Sequence, residues 1–476
     1  MPPSSRSSMQ ANTNTITVGD YQFISVQAPD GARNHVTRRQ VRSHAVKQAI
    51  KNKRKLEQDS GDNFRITTSQ GRPEIAARPG TPIGTMGTSP FSLSAGMLDP
   101  FQTLVVDSSR LQTLLANNRT WGAPEPVFSF TDELAFQGFR SVFRNGLNDP
   151  ALSSAVMLSL TFTAAGGSVN RECLGYQGQA IGYVRERMDS LTEAASESTI
   201  GAILLLAGVE ARLGMTSQVQ LHMGAVHLLL KICQKEGVYL TDGIKRAIFW
   251  QDLNSSVLAG SSRIVDHTTF SELQWVRDPF SPSFFRLPPG FQKRAHLFTT
   301  EFIEVLEDLH ALQCIRNVPF STAYDATAMV RINNHTASIQ SRLTSLRSLS
   351  PVMLCCRIAA YLCSVTLCCK IWCALVIPPH VSSQLLDELQ KAKDDTAWDE
   401  HPDLLLWILY IGGAFAPEGA LRSEYISLLR SNSTSRFRNL YKSWPELIAV
   451  FEQFIWSEKA FLKKFELLRE EHHNIT

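Results

Sequence analysis

Long apolar segments with helical spacing constrain the fold of this chain most, and they begin at about Leu98. Near the C-terminus, apolar side chains recur at steps of three, four and seven residues, which places them on one helix face. They are Leu447, Phe451, Phe454, Phe461, Phe465 and Leu468. Ser443 and Glu446 form a capping box before them, with Pro445 in the first turn. This pattern predicts one helix that begins after Ser443.

Other segments of the same kind recur through the second half of the chain. They are Ile200–Leu213, Gly224–Cys233, Val352–Ile377 and Leu404–Ile411. Alternation with a period of two residues is scarce, and no internal repeat is visible. Packed helices without a sheet are therefore the simplest architecture, and we predict an all-α fold.

Composition divides the chain into four parts. Residues 1–20 are polar and predict a disordered tail, and residues 21–57 form a basic segment. Residues 58–97 contain 4 Pro, 6 Gly and 10 Ser or Thr, which predicts a flexible linker. Residues 98–476 form the predicted multi-helix domain. The first twenty residues lack an apolar core, so we expect no secretory signal and reduced cysteines.

Positive charge is concentrated near the N-terminus. Residues 1–55 carry ten basic and two acidic side chains, a net charge of +8, whereas the remainder carries −5. Thr37 and Gln40 form a capping box, which predicts an amphipathic helix from Arg38 to Lys55 with a narrow apolar stripe. The cations on its other faces are the predicted functional residues: Arg38, Arg39, Arg42, Lys47, Lys51, Lys53, Arg54 and Lys55.

Three interpretations of these cations remain open. Arg38-Arg39, an eleven-residue spacer and the cluster at Lys51–Lys55 fit a two-part nuclear localisation signal, read by acidic grooves of an import receptor. The same side chains suit contact with nucleic-acid phosphates, which releases counterions. The third interpretation is a solvated basic face, or one lying on acidic lipid. None of the three supplies base-specific contacts.

Six cysteines lie within nineteen residues, namely Cys355, Cys356, Cys363, Cys368, Cys369 and Cys373. They occur in an apolar stretch without Gly or Pro, and two pairs are adjacent in sequence. Zinc sites instead use pairs separated by two to four residues. We therefore predict a core helix and no metal, because buried cysteine behaves as a small hydrophobe. Arg357 and Lys370 argue against a membrane span.

Motifs of common catalytic sites are not found in the sequence. It contains no phosphate-binding G-x₄-G-K-[ST] loop, no G-x-S-x-G elbow and no H-E-x-x-H helix. We interpret His222 and His227 as ordinary helix histidines, and Gly166-Gly167 and Gly412-Gly413 as turns or sites of close helix packing. The chain is therefore predicted not to be an enzyme and to need no cofactor, although a site assembled from distant residues stays open.

Several stretches, in a shared order, resemble the fungal-specific transcription factor domain family, a class often linked to zinc-cluster regulators. Near the N-terminus they are Phe23-Ile24-Ser25-Val26, Arg42-Ser43-His44 with the basic residues after it, and Asp99-Pro100-Phe101-Gln102-Thr103-Leu104. Further on they are Gly224-Ala225-Val226-His227, Ile248-Phe249-Trp250-Gln251-Asp252-Leu253, the run from His401 to Gly413, and Phe454-Ile455-Trp456. The resemblance spans most of residues 21–470.

This resemblance implies an all-helical regulatory domain, nuclear action on transcription, and control of a metabolic or secondary-metabolite gene cluster. The chain departs from the family in one respect: residues 1–100 contain no cysteine, so the six-cysteine zinc cluster that reads DNA is absent. Expected partners are a nuclear import receptor, the DNA backbone and other transcription regulators, with no stable membrane insertion. The alternative is a membrane-surface or scaffold protein that uses the basic helix on acidic lipid.

Overall fold

The structure is a computed structural model of the 476-residue chain, and it describes residues 15–18, 21–24, 105–117, 119–120, 148–278, 282–317, 326–367 and 376–474. The chain divides into two units, Met1–Thr85 and Met86–Thr476. Between residues 105 and 474, the regular elements that the structure describes are all helices. The all-α fold class predicted from the apolar periodicity is therefore confirmed.

The first unit contains a short antiparallel hairpin, which the composition of residues 1–20 did not predict. Strand β1 (Thr15–Val18) pairs with strand β2 (Tyr21–Ile24), with Val18 opposite Tyr21. Every residue of β1 is β-branched, being Thr, Ile or Val, and such residues favour strands. The sequence between the strands is Gly19-Asp20, a dipeptide that suits a two-residue hairpin loop. The tail predicted for residues 1–20 therefore contains a strand at its end.

Seventeen α-helices are described in the second unit. The first nine are α1 (Ser108–Leu115), α2 (Pro150–Ala164), α3 (Arg171–Arg187), α4 (Leu191–Ala194), α5 (Glu197–Arg212), α6 (Thr216–Glu236), α7 (Asp242–Ala259), α8 (Pro289–Gln292) and α9 (Thr300–Asn317). The others are α10 (Ala326–Ser345), α11 (Pro351–Leu367), α12 (Ile377–Lys391), α13 (Ala397–Glu400), α14 (Pro402–Phe415), α15 (Ala420–Ser433), α16 (Trp444–Phe451) and α17 (Glu458–Asn474).

Helix α5 lies between two apolar clusters and is apolar on both sides. Ile203 and Leu204 belong to the larger cluster, which extends through α6–α17, whereas Leu205 and Leu206 belong to a smaller one with α1, α2 and α3. A helix that is apolar all round is expected to be buried in this way. The segment Ile200–Leu213 was predicted to be helical, and the structure confirms it.

Helix α14 is the most deeply buried helix of the larger cluster. Its side chains and glycines from residue 404 to residue 415 are all buried. It packs against α11, α12, α15 and α17. The predicted segment Leu404–Ile411 lies within it. Gly224–Cys233 lies in α6, and the first part of Val352–Ile377 forms α11. Residues 368–375 of that segment lie outside the described residues.

The prediction of a single C-terminal helix after Ser443 is wrong in one respect. Its start is confirmed, because the Ser443 hydroxyl accepts from the Glu446 N–H, and all six predicted apolar side chains are buried. However, α16 ends at Phe451 and α17 begins only at Glu458. Backbone groups in the interruption have partners elsewhere: the Gln453 carbonyl accepts from the Gly290 N–H at 2.6 Å, and the Trp456 N–H donates to Gln313 Oε1 at 2.9 Å. These bonds replace those of a continuous helix.

Candidate functional site: an arginine-lined cavity

The predicted functional cations from Arg38 to Lys55 lie outside the described residues, as does their predicted helix. The same holds for the linker of residues 58–97 and for the motif that begins at Asp99. Whether these residues form an import signal or a phosphate-binding surface therefore stays a prediction. The described residues that invite a functional interpretation lie in the helical unit instead.

A cavity of about 540 Å³ lies where the ends of α7 and α10 meet α11 and α12. Its volume falls in the range typical of small-molecule sites. Three of its lining residues are arginines, so we call it the arginine cavity. It is lined by Ser256, Val257, Gly260, Ser261, Ser262, Arg263, Thr344, Ser345, Arg347, Arg357, Ile358, Tyr361, Val381 and Gln384.

The first wall of the arginine cavity is formed by the turn after α7. Helix α7 ends at Ala259, and the next residue, Gly260, has a φ of +65°, the left-handed conformation common after a helix. Asp252, about two turns before the end of α7, then anchors the returning chain. Its carboxylate accepts from Arg263 Nε at 2.5 Å, from the Ile264 N–H at 3.0 Å and from the Val265 N–H at 3.3 Å. Asp252 therefore positions Arg263 at the cavity.

Burial governs the electrostatics of this anchor. Asp252 is only 1% exposed. Burial raises the pKa of its carboxyl group, and the charge and hydrogen bond of Arg263 oppose that rise. Arg263 also donates from Nη2 to the Val265 carbonyl at 2.7 Å. The buried Asp252 carboxylate thus balances the charge of Arg263, and the Val265 carbonyl fixes the orientation of its guanidinium group.

The other two arginines of the cavity have different surroundings. Arg357 extends from α11, and its Nη1 donates to the Leu343 carbonyl at 3.3 Å. Burial lowers the pKa of Arg357, and the positive charge of Arg347 lowers it further. Arg347 lies on the loop between α10 and α11 and is exposed. None of the residues lining the cavity is Asp or Glu. The arrangement offers hydrogen-bond donors and positive charge to whatever occupies it.

The family-like stretches in the described residues contribute to packing. Trp407 of α14 donates from Nε1 to the Ile455 carbonyl at 3.1 Å, and its ring stacks on Phe454 at a centroid distance of 5.5 Å. The run from His401 to Gly413 and the stretch Phe454-Ile455-Trp456 therefore meet in the core. Asp252, from a third such stretch, anchors the cavity wall through Arg263. These roles are structural and leave the chemistry of the cavity to other residues.

The cysteine stretch was predicted to be a core helix, and the described part confirms it. Cys355, Cys356 and Cys363 lie on α11, and each side chain is fully buried. Burial raises the pKa of all three thiols. Cys368, Cys369 and Cys373 lie outside the described residues. Among the residues with described positions, no group of three His, Cys, Asp or Glu side chains is placed to hold a metal ion.

Two side-chain pairs bring together groups that take part in acid–base or nucleophilic chemistry in other proteins. Cys314 Sγ lies 3.7 Å from His310 Nδ1 on α9. Burial raises the pKa of Cys314 and lowers the pKa of His310, which favours the neutral pair over thiolate and imidazolium. His222 Nε2 lies 3.2 Å from the Glu210 carboxylate of α5. The first pair lacks the activated thiolate of a nucleophilic cysteine, and the second is an ordinary contact between neighbouring helices.

The glycine pairs behave as the sequence predicts. Gly166 and Gly167 both have positive φ and form the turn after α2, while Gly412 and Gly413 lie against neighbouring helices with no room for a side chain. Across the helices that the structure describes, none is both long and apolar enough to cross a membrane.

The arginine cavity was not foreseen from the sequence. Arg263 is distant in sequence from Arg347 and Arg357, and the three line one cavity only in the folded domain. One signal was visible: Arg357 is a single charge within an otherwise apolar helix, and such charges often mark a site. The fold and the cavity define the helical unit as an all-α domain with an arginine-lined cavity that opens to solvent. Comparison with protein-family models, curated proteins and solved structures finds no match to the chain.

Proposed function

We propose that this chain is a nuclear transcription regulator of the fungal type that acts without a zinc-cluster DNA reader. It would control a metabolic or secondary-metabolite biosynthetic gene cluster, in keeping with the resemblance described above. The observation that carries the proposal is the two-part basic pattern: Arg38-Arg39, a spacer, and the cluster Lys51–Lys55, in a segment of net charge +8. The all-α fold of the following unit is compatible with a regulatory domain.

In this proposal, the basic segment and the helical domain have separate tasks. The two basic clusters bind acidic grooves of an import receptor, because clustered Lys and Arg side chains are what such receptors select. In the nucleus the same cations contact DNA phosphates without reading bases. Target selection then comes from other transcription regulators that bind the helical domain.

Imaging of a fluorescent fusion tests the import step. The full chain is compared with a variant in which Lys51, Lys53, Arg54 and Lys55 are all changed to Ala. The proposal expects nuclear fluorescence from the parent chain and its loss from this variant. A matched control removes four cations from exposed positions of the helical domain, namely Lys231, Lys235, Lys391 and Lys393. Nuclear signal that survives the first variant would overturn the import role of the cluster.

A gel-shift titration against salt tests the contact with DNA. Affinity that falls steeply with salt and does not depend on sequence is expected if the basic helix binds phosphates alone. Substituting Arg38, Arg39 and Arg42 with Ala should weaken binding uniformly across DNA sequences and reduce the salt slope. Binding that is insensitive to salt would contradict phosphate contact by this segment.

The same cations suit acidic lipid, which is the basis of the membrane-surface alternative. Sedimentation with vesicles of mixed neutral and acidic phospholipid separates the two proposals. The nuclear proposal expects the full chain to stay in the supernatant at physiological salt. Pelleting that depends on both acidic lipid and Lys51–Lys55 would favour the alternative.

A further inference from the structure

We propose that the arginine cavity is a binding site for a small organic oxyanion, a metabolite-sized carboxylate or phosphate ester with a short apolar body. This site goes beyond the proposed nuclear function and does not depend on it. The argument rests on unbalanced charge, on buried donors without partners and on the shape of the cavity.

The charges around the cavity are not balanced by protein carboxylates. Arg263 is paired with the buried Asp252. Arg347 and Arg357 form no ion pair with any residue that the structure describes. The carboxylate whose negative charge acts on Arg357 is that of Glu388 on α12. That carboxylate forms an ion pair with Lys391 at 2.7 Å. Arginine stays protonated in proteins, so two like charges here repel each other until an anion joins them.

Two buried polar atoms at the cavity have no hydrogen-bond partner in the described part of the protein. They are the hydroxyl oxygen of Ser261, which is only 6% exposed, and Nε of Arg357. Buried polar atoms nearly always find a partner, because leaving one unpaired is costly. Both side chains line the same cavity. Neither atom is open to solvent, so an oxyanion in the cavity would accept from Arg357 Nε and from the Ser261 hydroxyl only after these side chains shift toward it.

The loop that carries Arg347 has an unusual backbone. Ser348, the next residue, has a φ of +55°. Among the described residues, it is the only one other than glycine that has a positive φ. Such a conformation costs energy for a residue with a side chain, and it recurs where a loop is held for binding. It allows the loop between α10 and α11 to turn within five residues with Arg347 at the cavity.

The other residues that line the cavity indicate which kind of molecule would carry the anionic group. Val257, Ile358 and Val381 contribute apolar side chains to the cavity lining, and the Tyr361 ring adds to them. Ser256, Thr344 and Gln384 supply neutral polar groups. A ligand with one anionic group and a compact carbon skeleton fits this mixture of lining residues. The volume of about 540 Å³ suits a metabolite rather than a bare ion or a peptide.

Calorimetric titration of the full chain tests the site with three probes of similar shape: benzoate, phenyl phosphate and benzyl alcohol, at constant ionic strength. Benzoate and phenyl phosphate distinguish a carboxylate site from a phosphate site. We expect saturable binding of at least one anion and none of the neutral alcohol. Equal binding of the alcohol, or no saturable binding of either anion at millimolar concentration, would overturn the proposal.

Variants locate the binding. Arg347→Ala removes an exposed side chain, so its fold is expected to be intact, and it should weaken anion binding about ten- to a hundredfold, as does loss of a charged hydrogen bond. Arg357→Met should do the same, and Ser261→Ala should have a smaller effect in the same direction.

The matched control is Arg331→Ala, an exposed arginine of α10 outside the cavity lining. Unchanged affinity in Arg347→Ala would contradict the site even where Arg357→Met fails to fold. Localisation of the fusion protein is unaffected by any of these outcomes, so failure here is distinct from failure of the nuclear proposal.

Discussion

Tyr425 of α15 lies directly against the backbone of Gly412 in α14: a β-carbon at position 412 would stand 2.4 Å from the Tyr425 hydroxyl oxygen. The same hydroxyl donates to the Ser382 carbonyl of α12 at 2.7 Å, and the Ser382 hydroxyl donates to the Gly412 carbonyl at 2.8 Å. Three helices are therefore joined through one buried tyrosine. The contact requires glycine because of space, since Gly412 has helical backbone geometry.

Gly412→Ala should destabilise the helical domain by about 1–3 kcal/mol, because the added methyl overpacks a filled core. Urea unfolding followed by circular dichroism measures the change. The control is Gly182→Ala in α3, where a β-carbon would meet nothing within 4 Å. That substitution should stabilise the protein by up to about 1 kcal/mol, because alanine favours helix over glycine. The same sign of change in both variants would contradict this account.

The sequence predicted the parts of the fold that depend on local pattern. Apolar periodicity and the Ser443 cap placed several helices and the buried side chains from Leu447 to Leu468. The interruption after Phe451 could not be predicted, because its cause is the approach of Gly290 and Gln313 from distant parts of the chain. The arginine cavity was missed for the same reason. Arg357 was visible as a charge in an apolar helix, but its neighbours Arg263 and Arg347 are set by tertiary packing.

Asp308→Ala should destabilise the fold by roughly 2–4 kcal/mol. Its carboxylate is 1% exposed and accepts from Arg277 Nε at 2.7 Å and from Arg342. Removing it leaves two partly buried guanidinium groups with fewer partners. Glu307 keeps its bond to Arg277 at 3.0 Å and limits the loss.

The matched control for this ion pair is Glu236→Ala, which removes an exposed contact with Lys235 at 3.6 Å. Exposed pairs contribute little, so its effect on the free energy of unfolding should stay within about 0.5 kcal/mol. Denaturant unfolding at neutral pH compares the two variants. Equal losses in both would show that Asp308 does not stabilise the fold through its buried ion pairs.

His335 should make the protein less stable as the pH falls below about 6.5. It stacks on Trp275 at a centroid distance of 4.0 Å, and burial, with Arg342 nearby, lowers its pKa to about 3. The unfolded chain therefore takes up a proton on His335 between about pH 6.5 and 3, whereas the folded chain does not. The contribution of neutral His335 to the free energy of unfolding is fully present above pH 6.5. It falls by up to about 1.4 kcal/mol per pH unit below that value.

Urea unfolding at several pH values between 7.5 and 5 measures this slope. His335→Phe keeps an aromatic ring against Trp275 but cannot titrate, so its free energy of unfolding should depend less on pH than that of the parent chain. Parallel pH profiles for the two proteins would assign the acid sensitivity to other groups.

The thiols of Cys355, Cys356 and Cys363 should be inert in the folded protein. All three are buried on α11, and their raised pKa values keep them as thiols near neutral pH. Labelling with iodoacetamide followed by peptide mass analysis should modify them in urea but not in native buffer. Modification of Cys363 at the same rate under both conditions would mean that α11 is not a core helix.

A tethered reporter assay tests the proposal of transcription regulation most directly. The full chain is joined to a heterologous DNA-binding domain that carries its own import signal and is directed to a reporter gene in fungal cells. We predict that reporter transcript changes reproducibly, upward or downward, relative to the DNA-binding domain alone. Equal transcript levels, with the fusion present in the nucleus at matched abundance, would contradict a regulatory role for the helical domain.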